Sequence, residues 1–220
     1  MDILDSIDIA IDADRIRHKL NGADAAERLI QSALPLIKAR AVFRAARVDV
    51  REGDAIVIEG RRFASRVLAR LLAEAERVFP YVMTIGDLPD RRAAAETDPQ
   101  RRQDLDFIAN YALVQTRRSV EERLRSRFGL EKIAYMSPGS IQNWPIDQQQ
   151  PLFDLLTGAT EALGVSLTTD CRMTPDKSLS GIYFSTEADF FVCQLCPYEN
   201  CPGRKAPYDA ELAAKLTAAP

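Results

Sequence analysis

Between Phe63 and Val78 the apolar residues fall at Phe63, Val67, Leu68, Leu71, Leu72, Ala75 and Val78. This spacing predicts an amphipathic helix with one buried stripe, ended by Pro80. The same period returns from Asp104 to Phe128, where Leu105, Ile108, Ala109, Ala112, Val120, Leu124 and Phe128 mark the inner side of a long helix and Gly129 supplies its stop. Asp147 to Leu163 repeats it with Leu152, Leu155, Leu156 and Leu163, and Gly164 ends it. Ala23 to Ala46, rich in Ala, Leu and Arg, reads as helical, with Pro35 marking a break or a helix start.

Other stretches have period two. Ile7, Ile9 and Ile11 predict a short first strand with one buried face, after which Asp12 or Asp14 caps a helix holding the only histidine, His18. Val48-Asp49-Val50 and Ala55 to Ile58 flank the turn Arg51-Glu52-Gly53-Asp54. Tyr81 to Ile85 reads as a buried strand stopped by Gly86, followed by an exposed, charged connection with Pro89 and Pro99. Ile133 to Met136, Val165 to Met173, Gly181 to Ser185 and Asp189 to Val192 supply the remaining strands. The last two form a hairpin through Thr186-Glu187-Ala188. Helices and hairpin-linked strands mix without regular alternation, which defines an α+β class.

Charge narrows the function. The 29 Lys and Arg against 32 Asp and Glu give a net charge of −3, with no polyanion-binding signature, so nucleic acid is not an expected partner. The pairs Arg61-Arg62, Arg91-Arg92, Arg101-Arg102 and Arg117-Arg118 are interleaved with acids and read as solvated helix faces. No apolar run approaches the roughly 20 residues of a membrane span, and the acidic Met1 to Asp5 lacks a secretory pattern; a cytoplasmic setting is expected.

A reducing compartment turns attention to the four cysteines, because disulfides are rare there. Cys193, Cys196 and Cys201 lie within C-Q-L-C-P-Y-E-N-C-P, with Pro197 and Pro202 keeping the segment out of helix and ladder. Three thiols within nine residues read as ligands of an iron–sulfur cluster, 4Fe–4S ahead of other types, with zinc as the alternative. Cys171, on the alternation Val165, Leu167, Thr169, Cys171, Met173, is either the fourth ligand or a buried small hydrophobe. This divides the chain into residues 1–190 and a cysteine-rich segment, 191–220.

Ser137-Pro138-Gly139-Ser140 has the composition of a type II turn, whose open amides can cradle a ligand carboxylate or simply reverse the chain. Trp144 lines the same pocket or anchors the core.

Taken in order, Tyr81-Val82-Met83-Thr84-Ile85-Gly86, Asp104-Leu105-Asp106, Ser137-Pro138-Gly139 and Pro175-Asp176-Lys177-Ser178-Leu179-Ser180-Gly181-Ile182-Tyr183-Phe184 resemble the activation domain of cobalamin-dependent methionine synthase. The resemblance implies a twisted, mainly antiparallel sheet with flanking helices and a site for S-adenosylmethionine. It implies contacts from Tyr135, Ser137, Pro138, Gly139 and Ser140. It further implies a free-standing reactivator of a corrinoid-binding protein or cobalamin-dependent methyltransferase, fed by a donor such as ferredoxin or flavodoxin. The corrinoid itself is expected on the partner, since Ile16-Arg17-His18-Lys19-Leu20-Asn21 lacks the Asp and Gly of D-x-H-x-x-G. The family loop carries Arg and Tyr where this chain has Tyr135 and Ser140, so either Arg172 or another cation replaces the guanidinium clamp, or the nucleotide is bound weakly or not at all.

Overall fold

The computed structural model describes residues 1–20, 23–141, 143–187, 190–198 and 204–218, with the backbone alone for 15 and 23–25. Among the described residues, ten strands and eight helices follow one another. They are β1 (Asp2–Leu4), α1 (Ala13–Arg17), α2 (Ala23–Ala33), β2 (Arg40–Phe43), β3 (Ala46–Glu52), β4 (Ala55–Ile58), β5 (Arg61–Ala64), α3 (Arg66–Leu71) and β6 (Arg77–Thr84). After these come α4 (Leu88–Ala94), α5 (Pro99–Phe128), β7 (Ile133–Met136), α6 (Gln149–Leu155), α7 (Ala159–Ala162), β8 (Ser166–Leu167), β9 (Met173–Thr174), β10 (Ser178–Ser185) and α8 (Ala210–Thr217).

Strand β6 organises the main sheet. It pairs antiparallel with β10 on one side and with β2 and then β3 on the other, and the order β1-β2-β6-β3-β4-β5 is extended by β10 and β7. Seven of its eight residues are buried, as a strand covered on both faces requires. Phe79, Tyr81 and Met83 face Ala109, Ala112, Leu113, Val120 and Leu124 of α5. Val78 and Val82 face the opposite layer, whose clusters include Leu68, Leu152, Leu156 and Trp144. Period two along the strand thus meets helical spacing along α5. The α+β class and the antiparallel sheet agree with expectation.

Pro80 stands inside β6 and ends no helix. Its carbonyl accepts from the Arg44 amide at 3.2 Å, so its nitrogen, on the same strand edge, faces the handover between Phe43 and Ala46. No ladder bond to β10 is lost there. Phe63 belongs to β5, and helix α3 starts after Ser65, whose hydroxyl accepts from the Leu68 amide at 3.1 Å. The long apolar period therefore spans a strand, a short helix and the start of β6.

Other boundaries also differ. Arg40–Phe43 is a strand between β1 and β6 where the Ala-rich run suggested helix, and its residues are buried or nearly so because Ala41 and Phe43 pack in the cluster of Ala109 and Leu113 while Val42 packs with Phe153 and Leu156. The first strand is Asp2–Leu4. Ile7, Ile9 and Ile11 keep the alternate burial that their spacing predicts, without a ladder. Leu88–Ala94 is helical within the connection read as charged coil. Gly158, at φ +83°, splits the helix expected over Asp147 to Leu163.

Val165 to Met173 folds back as the β8–β9 hairpin instead of running as one strand. No strand forms at residues 190–192: Val192–Leu195 is a single 3-10 turn, and Ala188 and Asp189 of the expected hairpin lie outside the described residues. The C-terminal part joins the main core, with Leu195, Ala213 and Leu216 in one cluster with Val67, Leu68 and Leu72. No described helix is long and apolar enough to cross a membrane.

Candidate functional site

Neighbouring strands bring three tyrosines together. Tyr183 of β10 lies opposite Tyr135 of β7, and Gly181, two positions earlier, lies opposite Tyr81 of β6. The Tyr81 and Tyr183 ring centroids are 4.3 Å apart, and those of Tyr135 and Tyr183 5.8 Å. Gly181 makes this possible: a Cβ there would strike the Met136 carbonyl and lie 2.9 Å from the Tyr81 hydroxyl and 3.0 Å from Ser137 Oγ. The Tyr81 hydroxyl and Ser137 Oγ lie 3.5 Å apart. Burial pushes the Tyr81 hydroxyl up to about 12, and pushes Tyr183 well above its ordinary value.

Helix α5 adds charge to this group. The Arg117 guanidinium lies over the Tyr135 ring at 4.6 Å and donates to its hydroxyl, with its Nε 3.5 Å from Glu121 Oε1. The Arg117 side chain is 8 % exposed and that of Glu121 18 %. The Tyr183 hydroxyl is buried and faces Glu121 without completing a hydrogen bond. Lys205 places its ammonium 5.7 Å from the Tyr135 ring centroid. Desolvation first, and then the charges of Arg117 and Arg118, lower its pKa.

The turn Ser137-Pro138-Gly139-Ser140 closes as expected, with Gly139 at φ +80° and the Ser140 amide donating to the Ser137 carbonyl at 3.1 Å. Its amides are less open than the composition suggested. The Gly139 amide donates to the Trp144 carbonyl at 2.7 Å, so the turn offers side chains, chiefly the Ser137 hydroxyl, more than backbone donors. Pro138 is buried, and Ser140 Oγ turns back to the Ser137 carbonyl at 2.6 Å. Trp144 is fully buried in the core. Arg172 stands 76 % exposed and paired to Asp170 at 2.8 Å, at the tip of the β8–β9 hairpin.

The cysteines divide. Cys171 is not on a strand face; it sits in the β8–β9 connection at φ +59°, its carbonyl accepting from Gln149 Nε2 at 2.6 Å. Cys193 and Cys196 occupy one turn as free, half-buried thiols, while Cys201 lies outside the described residues. Among the described residues no three His, Cys, Asp or Glu converge, so Cys171 does not join Cys193 and Cys196 in a metal-holding group. Arg204 gathers this turn: Nη1 donates to the carbonyls of Cys193 and Ala206 at 3.0 and 2.9 Å, and Nη2 to those of Cys196 and Tyr198 at 2.7 and 2.6 Å. The adjacent Lys205 amide donates to Cys193 Sγ at 3.4 Å. One residue, Lys205, therefore touches both the thiol turn and the tyrosine group.

Sequence reasoning found Tyr135 and Ser137 but missed Arg117, Glu121, Tyr183 and Lys205 as members of the group. Arg117 read as part of a solvated pair; only Arg118 is exposed. The available signal was phase, since Arg117 lies one turn before Val120 and Glu121 and eight residues after Ala109 on the inward side of α5.

The α+β fold around an antiparallel sheet is similar to that of a solved methionine synthase reactivation domain. Residues 138–203 match the family described as vitamin B12 dependent methionine synthase, activation domain. Among solved structures, the crystal structure of the MetH reactivation domain bound to AdoHcy superposes with a TM-score of 0.58 at 18 % identity, covering 83 % of this chain and 72 % of that one. That likeness establishes the shared fold. No curated protein matches the chain in sequence.

Proposed function

We propose that this chain reactivates a cobalamin-dependent methyltransferase or corrinoid-binding partner, with S-adenosylmethionine as the methyl donor. The observation that carries the reading is the family match over residues 138–203, which begins at the turn beside Ser137 and runs through β10 into the cysteine segment. The structural relative's AdoHcy favours the same ligand class here. Reduction of Co(II) to Co(I) is uphill with ordinary donors, and methyl transfer from the sulfonium draws it forward. The corrinoid stays on the partner, because His18 is exposed on a turn and its flanking residues do not form the lower-ligand motif.

A finer reading assigns the electron to an iron–sulfur cluster held by Cys193, Cys196 and Cys201. Two free thiols in one turn, a backbone N–H on Cys193 Sγ and carbonyls held aside by Arg204 suit thiolate ligation. Such a cluster supplies a low-potential electron when bound, refilled by ferredoxin or flavodoxin; zinc there would instead staple the segment. In this reading 1–190 binds and docks, and 191–220 handles the electron.

The test is anaerobic. The chain, a corrinoid protein in the Co(II) state, S-adenosylmethionine and a reductant are mixed, and the visible spectrum is followed. Formation of methylcobalamin that requires the chain supports the reading. The same rate with and without the chain, alongside a corrinoid that chemical reductant can remethylate, removes it.

A further inference from the structure

The two residues between Cys193 and Cys196 are both pinned. Gln194 accepts the Asp209 amide on its carbonyl and the Phe191 amide on its side-chain oxygen, each at 2.9 Å. Leu195 is 7 % exposed and packs in the main core with Ala213 and Leu216. The Cys196 amide then donates to the Cys193 carbonyl at 3.3 Å, closing a turn whose first and last residues are the two cysteines. Arg204 donates to the carbonyls of both. None of these bonds involves a sulfur, so the shape of the turn is set before the thiols bind or react with anything.

A turn of this kind brings its end residues together. A hydrogen bond from residue i+3 back to residue i leaves the two Cα atoms within about 7 Å, and in 3-10 geometry side chains three residues apart lie one above the other. A disulfide requires Cα atoms about 4.4–6.8 Å apart. Cys193 and Cys196 are free and half-buried, with Arg204 and Lys205 as neighbouring cations and the Lys205 amide on Cys193 Sγ at 3.4 Å. Partly exposed thiols in electropositive surroundings are the ones that react, and a C-x2-C pair is a common arrangement for exchange. Cys171, in the β8–β9 connection with its carbonyl held by Gln149, is no part of the turn.

We propose that Cys193 and Cys196 are a thiol–disulfide exchange pair acting on small disulfides of the glutathione type, and that the turn closes to an intramolecular disulfide without refolding. One thiolate attacks a sulfur of the small disulfide, displaces one thiol and leaves a mixed disulfide; the second attacks the protein sulfur of that bond and displaces the other thiol. Two electrons pass from the protein to the small disulfide, whose halves leave as thiols carrying the two protons the cysteines gave up. A closed pair offers no thiolate to a metal, so exchange and ligation exclude one another. Only this last consequence rests on the cluster proposed above.

The full chain, reduced and freed of metal by a chelator under anaerobic conditions, is equilibrated with reduced and oxidised glutathione, and the remaining thiols are alkylated and mapped by mass spectrometry. Of the four cysteines, Cys193 and Cys196 should lose alkylation together and appear as an internal disulfide, while Cys171 and Cys201 stay alkylated. Amide exchange in β6 and β10 should not change on closure; opening of the sheet overturns closure within a preformed turn. Cys196→Ser should accumulate the mixed disulfide with glutathione on Cys193, and dithiothreitol should reverse both products. Bridges that run to Cys201 or Cys171, or thiols that all remain alkylated at every glutathione ratio, overturn the pair. That arm uses unaltered protein, so it stands even if the variant misfolds. Iron uptake separates this proposal from the cluster: closure without uptake by the reduced chain rejects the cluster and leaves the pair, and uptake without closure rejects the pair and leaves the cluster. Uptake by the closed chain equal to that of the reduced one overturns their mutual exclusion.

Discussion

Arg204 Nη2 donates to the Cys196 carbonyl at 2.7 Å, and its other donors reach three more carbonyls of the same segment. One guanidinium thus does by hydrogen bonding what a bound metal does elsewhere by ligation, tying together the carbonyls of Cys193, Cys196, Tyr198 and Ala206. Replacing Arg204 with Ala removes all of these bonds and exposes carbonyls that water can satisfy only in part. The expected loss is about 1–3 kcal/mol, confined to the C-terminal segment. Hydrogen exchange should show faster amides at residues 193–198 and 204–206 and unchanged protection in β6 and β10; uniform loss across the sheet would contradict the assignment.

Alkaline pH should destabilise the fold through the buried tyrosines. The folded-state pKa of Tyr81, at about 12, lies above its ordinary value of 10.0 because burial penalises the phenolate. A raised folded value means the contribution is fully present below about pH 10 and is lost as pH rises toward 12, since the unfolded chain releases its proton first. Two units correspond to about 3 kcal/mol for this one group. Tyr183 shifts in the same direction. Tyrosinate absorbance should therefore titrate in two phases, with Tyr81 and Tyr183 ionising only as the sheet unfolds. Stepwise ionisation of all six tyrosines near pH 10 with folding intact would refute the buried arrangement.

Where one face alone is buried, the sequence was a good guide. The α5 stripe, the β3–β4 hairpin and the Gly129 stop follow directly from spacing and turn chemistry. Legibility failed where tertiary partners overrode local preference. Arg40-Ala41-Val42-Phe43 carries no alternation because both faces of the sheet are covered there, Ala41 and Phe43 packing on one side and Val42 on the other, so it looked like a continuation of helix. Phe63 and Val67 share helical spacing by accident across the Ser65 cap. The site failed for a related reason: Arg117 and Lys205 are charged residues brought together only where α5 and the C-terminal segment meet over Tyr135, 18 residues from one and 70 from the other in sequence, and no local pattern encodes that meeting.

Gly181 is the most exacting backbone position beside the site. A methyl group there collides with the Met136 carbonyl and crowds both the Tyr81 hydroxyl and Ser137 Oγ. Since the first obstacle is backbone, β7 must move away from β10, and Gly181→Ala should cost about 1–3 kcal/mol. It should also pull Ser137 from Tyr81 and weaken any ligand held at the turn. Thermal unfolding and calorimetry read the two effects, and an unchanged melting temperature would show that the two strands are further apart than described.

The cysteines permit a sharper division than their spacing alone. Cys171 lies in the β8–β9 connection, tied to Gln149, and does not share a three-ligand group with Cys193 and Cys196. After anaerobic reconstitution, Cys171→Ser should therefore leave metal content unchanged, whether iron or zinc is bound. Cys193→Ser should lower it sharply, because a serine hydroxyl is a poor substitute for thiolate at neutral pH. The Lys205 amide can still donate to the new oxygen, so the turn itself should persist, held mainly by the four carbonyl bonds to Arg204. Metal analysis per folded molecule separates ligation from stability, with near-ultraviolet circular dichroism as the check on folding. Loss of metal in Cys171→Ser with the fold intact would place that thiol among the ligands and overturn the separation.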